Sequence, residues 1–378
     1  MDALTTPLPK DWEIKTFRDI STINQGLQIP ISQRLKAPTE HAKFYITIQA
    51  LNNRKEFEYI KTYNESVVCH KDDILMTRTG NTGMVITNIE GVFHNNFFKV
   101  NFDRTLINKD FLVYFLSLEQ TQKTILRKAG TSTIPDLNHN DFYSLSIPLP
   151  PLNEQIAIAN VLSDVDRYLY TLDALILKKE SVKKALSFEL LSQRKRLKGF
   201  NQNWQRVRLG DICEITTGSL DANEMVHYGK YRFYTCAKEY YFIDKYAFDT
   251  EAILISGNGA YVGYVHYYKG KFNAYQRTYV LDNFSEHIIF VKYFLTMFLQ
   301  SHIQTNKNEG NTPYIVMGTL KDFEILLPPL DEQIAIANIL SALDHEIISL
   351  KNKKHQFENI KKALNHDLMS AKIRVLKK

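Results

Sequence analysis

Two stretches of the chain repeat apolar residues at alternating steps of three and four, the spacing of a helix that buries one seam along its length. The first seam runs through Leu162, Val165, Leu169, Leu172 and Ile176 to Leu186 and Leu190, and the second through Leu340, Leu343, Ile347 and Leu350 to Phe357, Leu364 and Leu368. Lysine interrupts both, at Lys179 and Lys183 and at Lys354 and Lys361, where an aliphatic stem can lie along the seam with its ammonium in water. Each stretch opens after two prolines. Asn153 or Asp331 is the expected N-cap, and Glu154 or Glu332 suits the positive first turn. Each predicted helix has about 44 residues and is therefore roughly 66 Å long. The rest of the chain carries short β-branched and aromatic runs, at 74–77, 84–89, 252–256 and 261–268, punctuated by Gly and Asn. Amphipathic helices are expected at 109–128 and 286–304, followed by Gly130 and Gly310. The pattern is α+β: strand-rich parts alternating with long helices.

The long helices are copies of one another. Residues 150–166 read PPLNEQIAIANVLSDVD and residues 328–344 read PPLDEQIAIANILSALD, with 13 of 17 positions identical at an offset of 178. Lys183-Lys184-Ala185-Leu186 matches Lys361-Lys362-Ala363-Leu364 in the same register. Weaker echoes precede each copy: Trp12 with Asp19-Ile20 answers Trp204 with Asp211-Ile212, and ILMTRTG at 74–80 answers ILISGNG at 253–259. The chain reads as a tandem duplication with four segments: a first globular head at 1–149, a helix at 150–199, a second head at 200–327 and a second helix at 328–378. The connection from Lys198 to Trp204 spans at most about 20 to 25 Å, too short to retrace the first helix. The second helix is therefore expected to return antiparallel to the first, with internal pseudo-two-fold symmetry and the heads in inverted directions.

Composition adds exclusions. Apolar residues make up 44% and charged residues 23% of the 378, the make-up of a globular chain. No apolar run approaches the roughly 18 residues of a membrane span, and the first residues lack a basic stretch followed by an apolar one, so a cytoplasmic protein with no membrane partner is expected. Cys69, Cys213 and Cys236 lie far apart with no Cys-x-x-Cys, which supports neither a disulfide framework nor a thiolate zinc site. The net charge is +6, and its excess lies in the helical segments: 150–199 hold 9 basic and 6 acidic groups, as do 328–378, whereas the heads are nearly neutral. A polyanion partner would meet a patterned face on each head rather than a uniformly basic one.

PPLNEQIAIANVL and PPLDEQIAIANIL, on paired helices after two diverged heads, resemble the specificity subunit of type I restriction-modification systems, and the resemblance spans the whole chain. It implies two target recognition domains, each reading one half of a bipartite asymmetric site on double-stranded DNA, joined by two long helices in an antiparallel coiled coil. It further implies docking of two methyltransferase subunits and association with restriction/translocase subunits. Ile156, Ile158, Leu162, Leu169 and Leu172, with Ile334, Ile336, Leu340, Ile347 and Leu350, are the docking and coiled-coil candidates. No cofactor is implied for this chain itself; S-adenosylmethionine belongs to the methyltransferase subunit and ATP with Mg to the restriction subunit.

The residues missing from the sequence agree with a reader that is not itself an enzyme. The two Pro-Pro pairs follow Leu149 and Leu327, so the Asn- or Asp-Pro-Pro-aromatic motif of an amino-methyltransferase is absent. There is no G-x-x-x-x-G-K-[ST] loop and no H-E-x-x-H helix. Candidate DNA contacts are Thr77, Arg78, Thr79 and Asn81 in the first head and Ser256, Asn258, Tyr261, Asn273, Gln276 and Arg277 in the second, since Arg pairs bidentately with guanine and Asn or Gln with adenine. Gly257 stands where the first head has Arg78. Twelve tyrosines between 228 and 279 are expected to fill and edge a half-buried sheet. His345, His355 and His366 read as a solvated or subunit-facing stripe, and Arg194, Lys195, Arg196 and Lys198 as cations complementing a helix end or touching phosphate. The competing reading is a non-catalytic coiled-coil scaffold whose two heads bind protein.

Overall fold

A computed structural model describes residues 8–52, 57–305 and 313–376. Its contacts divide the chain into two compact units, one of residues 1–173 with 353–378 and one of residues 174–352. Each contains one head, the start of the long helix that follows it, and the end of the other long helix. Gly310 lies outside the described residues.

In the first unit the strands Glu13–Thr16 and Ser146–Leu149 pair antiparallel and bring the two ends of the head together. Between them lie two four-stranded sheets. One has the order Ser21–Gln25, Phe97–Phe102, Ile74–Thr77, Val85–Ile86, and the other Tyr59–Ile60, Lys43–Ile46, Gly91–Phe93, Val68–Cys69, with Lys43–Ile46 parallel to Gly91–Phe93. The run expected at 84–89 shortens to two paired residues. The helix expected at 109–128 is two, Lys109–Leu116 and Glu119–Ala129. The second starts afresh because Leu118 is extended (φ −63°, ψ 134°). Phe17, Phe98, Phe111 and Phe142 form the centre of the core, and Ile158, Leu162, Leu368 and Met369 of the long helices pack into the same cluster.

The second unit closes its head in the same way, Gln205–Arg208 against Glu324–Leu327, around a single six-stranded sheet. Its order is Glu214–Thr217, Thr278–Asp282, Phe248–Ser256, Val265–Ala274, Tyr231–Tyr234, Tyr241–Ile243. The strand expected at 261–268 begins at Val265, and Tyr261 and Tyr264 belong to the turn before it. The head helix Ile288–Thr305 is continuous and packs into a core with Ile336, Ala337 and Leu340 of one long helix and Leu190 and Leu191 of the other.

The long helices are Leu152–Leu191 and Leu330–Met369, 40 residues each. Asn153 and Asp331 lie inside the first turn rather than at the N-cap, because the carbonyls of Pro151 and Pro329 already accept the first helical N–H groups. The seam residues all face inward, buried or half-buried, whereas Tyr170, Leu177 and Ile348 off the seam are more than half exposed. Within each unit the helices run antiparallel. Lys354 meets Asp173 and Lys361 meets Asp166 in the first unit; Lys179 meets Glu346 and Lys183 meets Asp344 in the second. The lysines that break the apolar seam are thus ion-paired across it. Tyr114 Oη of the first head donates to Asp166 (2.8 Å), and Tyr293 Oη of the second to Asp344 (2.6 Å).

Candidate nucleic-acid interface

The repeated Glu-Gln of the helix starts fixes each head to the long helices of its own unit. Glu154 is buried and accepts from Trp12 Nε1 (3.1 Å) and from Arg374 Nε and Nη2 (2.6 and 2.7 Å). Glu332 is buried and accepts from Trp204 Nε1 (3.1 Å) and from Arg196 Nε and Nη2 (2.9 and 2.7 Å). A fork-to-fork arginine pair on a buried carboxylate is among the stronger polar contacts a protein makes, and leaving either partner alone is costly. Gln155 and Gln333 hold the loops before the head helices, accepting from Asn108 N (2.9 Å) and His287 N (3.0 Å). The motif is therefore a clasp. Arg196 is committed to Glu332 and is not a free phosphate-binding cation. Both arginines stand 178 residues apart in line with the two glutamates, a signal the repeat held but helix-end reasoning passed over.

The clasp also sorts the helix candidates. Ile158 and Ile336 are buried in the head cores, and Leu162, Leu172, Leu340 and Ile347 in the seams. Leu169 and Leu350 are half-buried seam residues. Ile156 is exposed and Ile334 half-buried, so of the repeated Ile-Ala-Ile-Ala the first isoleucine faces outward and the second inward.

At the strand ends the two heads share one backbone arrangement. Arg78 N donates to Asn96 O (2.8 Å), Leu137 N to Arg78 O (2.9 Å) and Gly83 N to Thr77 O (2.8 Å). In the second head Gly257 N donates to Arg277 O (2.8 Å), Ile315 N to Gly257 O (2.9 Å) and Gly263 N to Ser256 O (2.7 Å). Thr79 bridges to Asp136, and Asn258 to Tyr314. Gly83 and Gly263 both take positive φ (93° and 79°), and a Cβ on either would lie 2.7 Å from a head-helix glutamine, Gln122 or Gln300. Those two glutamines donate to the carbonyls of Gly83 and Val262.

The side chains on this shared frame differ. Thr77 and Ser256 are fully buried. Thr77 Oγ1 donates to Asn81 O and accepts from Met84 N, so it builds the turn and cannot reach a base. Asn273 is likewise buried and engaged by Lys245 O and Ala274 N. Asn81 is exposed, in the left-handed region at φ 55°. Arg78 Nη2 donates to Asp136 (2.6 Å), with the guanidinium 5.8 Å from the Phe98 ring centre. Arg78 lines a hollow of about 400 Å³ together with Gln25, Asn138, His139, Asn140 and Asp141. Gln25, His139 and Asn140 carried no sequence signal, because they come from a strand and a short helix brought beside Arg78 only by the fold.

In the second head a hollow of about 350 Å³ lies among Lys238, Tyr261, Tyr264, Gln300 and the backbone at 259–260. Lys238 sits 5.2 Å from the Tyr261 ring centre. Gln276 is exposed and donates to Asp221, and Arg277 is exposed. The tyrosines fill and edge the sheet: Tyr234 is buried, Tyr240 and Tyr268 sandwich the Arg232 guanidinium at 4.2 and 4.5 Å, and Tyr228 is almost fully exposed. Burial pushes the thiols of Cys69 and Cys213 up to about 12. His355 and His366 lie beside Glu358 and Lys372. Among the described residues no His, Cys, Asp and Glu group could hold a metal ion, and no helix is long and apolar enough to cross a membrane.

The type I restriction modification DNA specificity domain matches twice, over residues 9–180 and 201–359. The chain belongs to that family. Such a subunit recognises DNA through two recognition domains and is not itself an enzyme. The type I restriction enzyme EcoDI specificity subunit of Escherichia coli is 38% identical over 171 residues, covering 44% of this chain and 37% of that one. The MjaVIII specificity subunit of Methanocaldococcus jannaschii is 25% identical over 97% of this chain and 94% of its own. A crystal structure of the type I restriction-modification S subunit from M. genitalium shares the fold, with a TM-score of 0.64 over 96% of this chain and 98% of that one at 19% identity.

Proposed function

We propose that this specificity subunit reads a bipartite, asymmetric double-stranded DNA sequence, one half with each head, through the polar turns at 78–83 and 257–263. A single observation carries the reading: the two turns share their backbone hydrogen bonds nearly one for one, while the side chains they display differ. A fixed frame with variable side chains suits two readers of different base sequences, because base edges are distinguished by side-chain donors and acceptors. The outward residues of the long helices, Ile156 among them, would dock two methyltransferase subunits, which supply S-adenosylmethionine and the chemistry; restriction subunits using ATP and Mg would complete a cytoplasmic complex.

The test is methylation mapping of a host carrying the complex, followed by transplanting the 78–83 turn together with Asp136 and residues 138–141 from a relative of different specificity. Only the first half of the methylated sequence should change. A change in both halves, or in neither, would reject the assignment of one half to each head.

A further inference from the structure

The two heads place arginine on opposite sides of the same hydrogen bond. In the first, Arg78 ends the strand and its N–H meets the carbonyl of Asn96; in the second, Gly257 takes that position and meets the carbonyl of Arg277. Arginine cannot return to 257. A Cβ there would lie 2.2 Å from Arg277 O and 2.9 Å from the Tyr279 ring, and Tyr279 is fixed by its hydroxyl donating to Ile315 O (2.9 Å). Phe98, which the Arg78 guanidinium overlies, holds the register position in its strand that Tyr279 holds in the other: Phe98 pairs with Gln25 and Tyr279 with Thr217. The larger ring and the missing side chain are two sides of one substitution.

We infer that Arg277 is the sequence-reading arginine of the second head, transposed across the strand pair from the place Arg78 holds in the first. The inference rests on the proposal that these turns face DNA. Two observations give it direction. Arg277 is exposed and has no hydrogen bond or ion pair from its guanidinium among the described residues, so all of its donors are available. Its neighbours Gln276 and Asn258 stand on the same rim, whereas Asn273 and Ser256 are buried beneath it. The heads also differ in how the cation is held. Asp136 fixes Arg78, but its register counterpart is Tyr314, which brings no carboxylate to Arg277. Arg277 therefore reaches DNA as an unrestrained fork, and arginine spans guanine O6 and N7 in a way lysine cannot.

The experiment uses the full chain assembled with its methyltransferase partner, and duplexes carrying the mapped site or single base-pair changes in either half. For Arg277→Ala, discrimination against changes in the second half should fall roughly 5- to 150-fold, with the first half still read. Arg277→Lys, which keeps the charge but not the fork, should fail to restore that discrimination. Arg78→Ala, run beside it, should relax the first half only, and thermal melting of each variant confirms that the fold is kept. Equal weakening of every duplex by Arg277→Ala would make it a phosphate contact and overturn the inference. No effect of Arg277→Ala while Arg78→Ala relaxes the first half would also overturn it, yet leave the turns as the DNA face. Failure of both variants to alter any base preference would sink the turns themselves.

Discussion

Single residues in this protein are decided by what stands opposite them. Gly257 shows this best, since its requirement is not backbone angle but the carbonyl of Arg277 at 2.2 Å from any added Cβ. Gly259 is the contrast: nothing lies within 4 Å of its Cβ site, but its φ is +81°. Gly257→Ala should therefore force the strand pair apart and cost about 1 to 3 kcal/mol or more, whereas Gly259→Ala should cost only about 1 kcal/mol, the strain of a left-handed alanine. Urea unfolding of the two variants gives the ranking directly, and a reversed order would mean that the 257 strand pair yields where the turn does not. Candidate contacts were legible to the extent that they were adjacent in sequence. Arg78 and Asn81 stand together in TRTGN and reach the rim; Thr77, in the same string, ends a strand buried on both faces and turns its hydroxyl to Asn81 O and Met84 N. Gln25 and His139 could not be found, since they join the rim from 53 and 61 positions away from Arg78.

At the scale of elements, periodicity foretold the long helices and their seams, and the lysines inside the seams proved to be paired rather than merely tolerated. What periodicity could not show was a third member in two of the four pairs, a tyrosine from the head helix: Tyr114 on Asp166 and Tyr293 on Asp344. Asp344 lies between Lys183 and Tyr293, and Lys292 adds charge nearby. Burial alone would raise its carboxyl, but the hydrogen bonds from Lys183 and Tyr293 and the charges of Lys183 and Lys292 outweigh that and hold it below the usual carboxylate range. A carboxyl depressed in the folded state contributes stability that is full above its unfolded value of about 3.9 and is withdrawn as pH falls through the lower folded value. Asp344→Asn should accordingly lower stability at pH 7 by about 1 to 3 kcal/mol and flatten the loss that sets in as pH falls below about 4. Denaturant midpoints measured across that range provide the check; an unchanged acid slope would place the acid sensitivity elsewhere. The broken head helix at Ser117 and Leu118 was missed for a different reason: no Gly or Pro marks it.

For the molecule as a whole, the duplication extends to the way each unit is closed. The first unit is closed by Arg374 on Glu154 and the second by Arg196 on Glu332. Removing one arginine leaves a buried carboxylate uncompensated, a loss of about 3 to 5 kcal/mol, and the lower figure suits arginines that are themselves partly exposed. Arg374→Ala should therefore lower one calorimetric transition and Arg196→Ala the other. A common shift of both transitions by either variant would show that the two units unfold together.

The clasp on Glu154 has a consequence in time. Its carboxylate is made 220 residues before Arg374, and at about 5 to 20 residues per second a ribosome needs roughly 10 to 45 s to deliver the partner. The equivalent arginine, Arg196, appears only 42 residues after Glu154, well before Glu332 exists to claim it. A nascent first head thus holds Glu154 with the Trp12 indole alone for that interval, because Arg196, beyond the far end of the 40-residue helix that starts beside Glu154, stands roughly 60 Å away and cannot stand in.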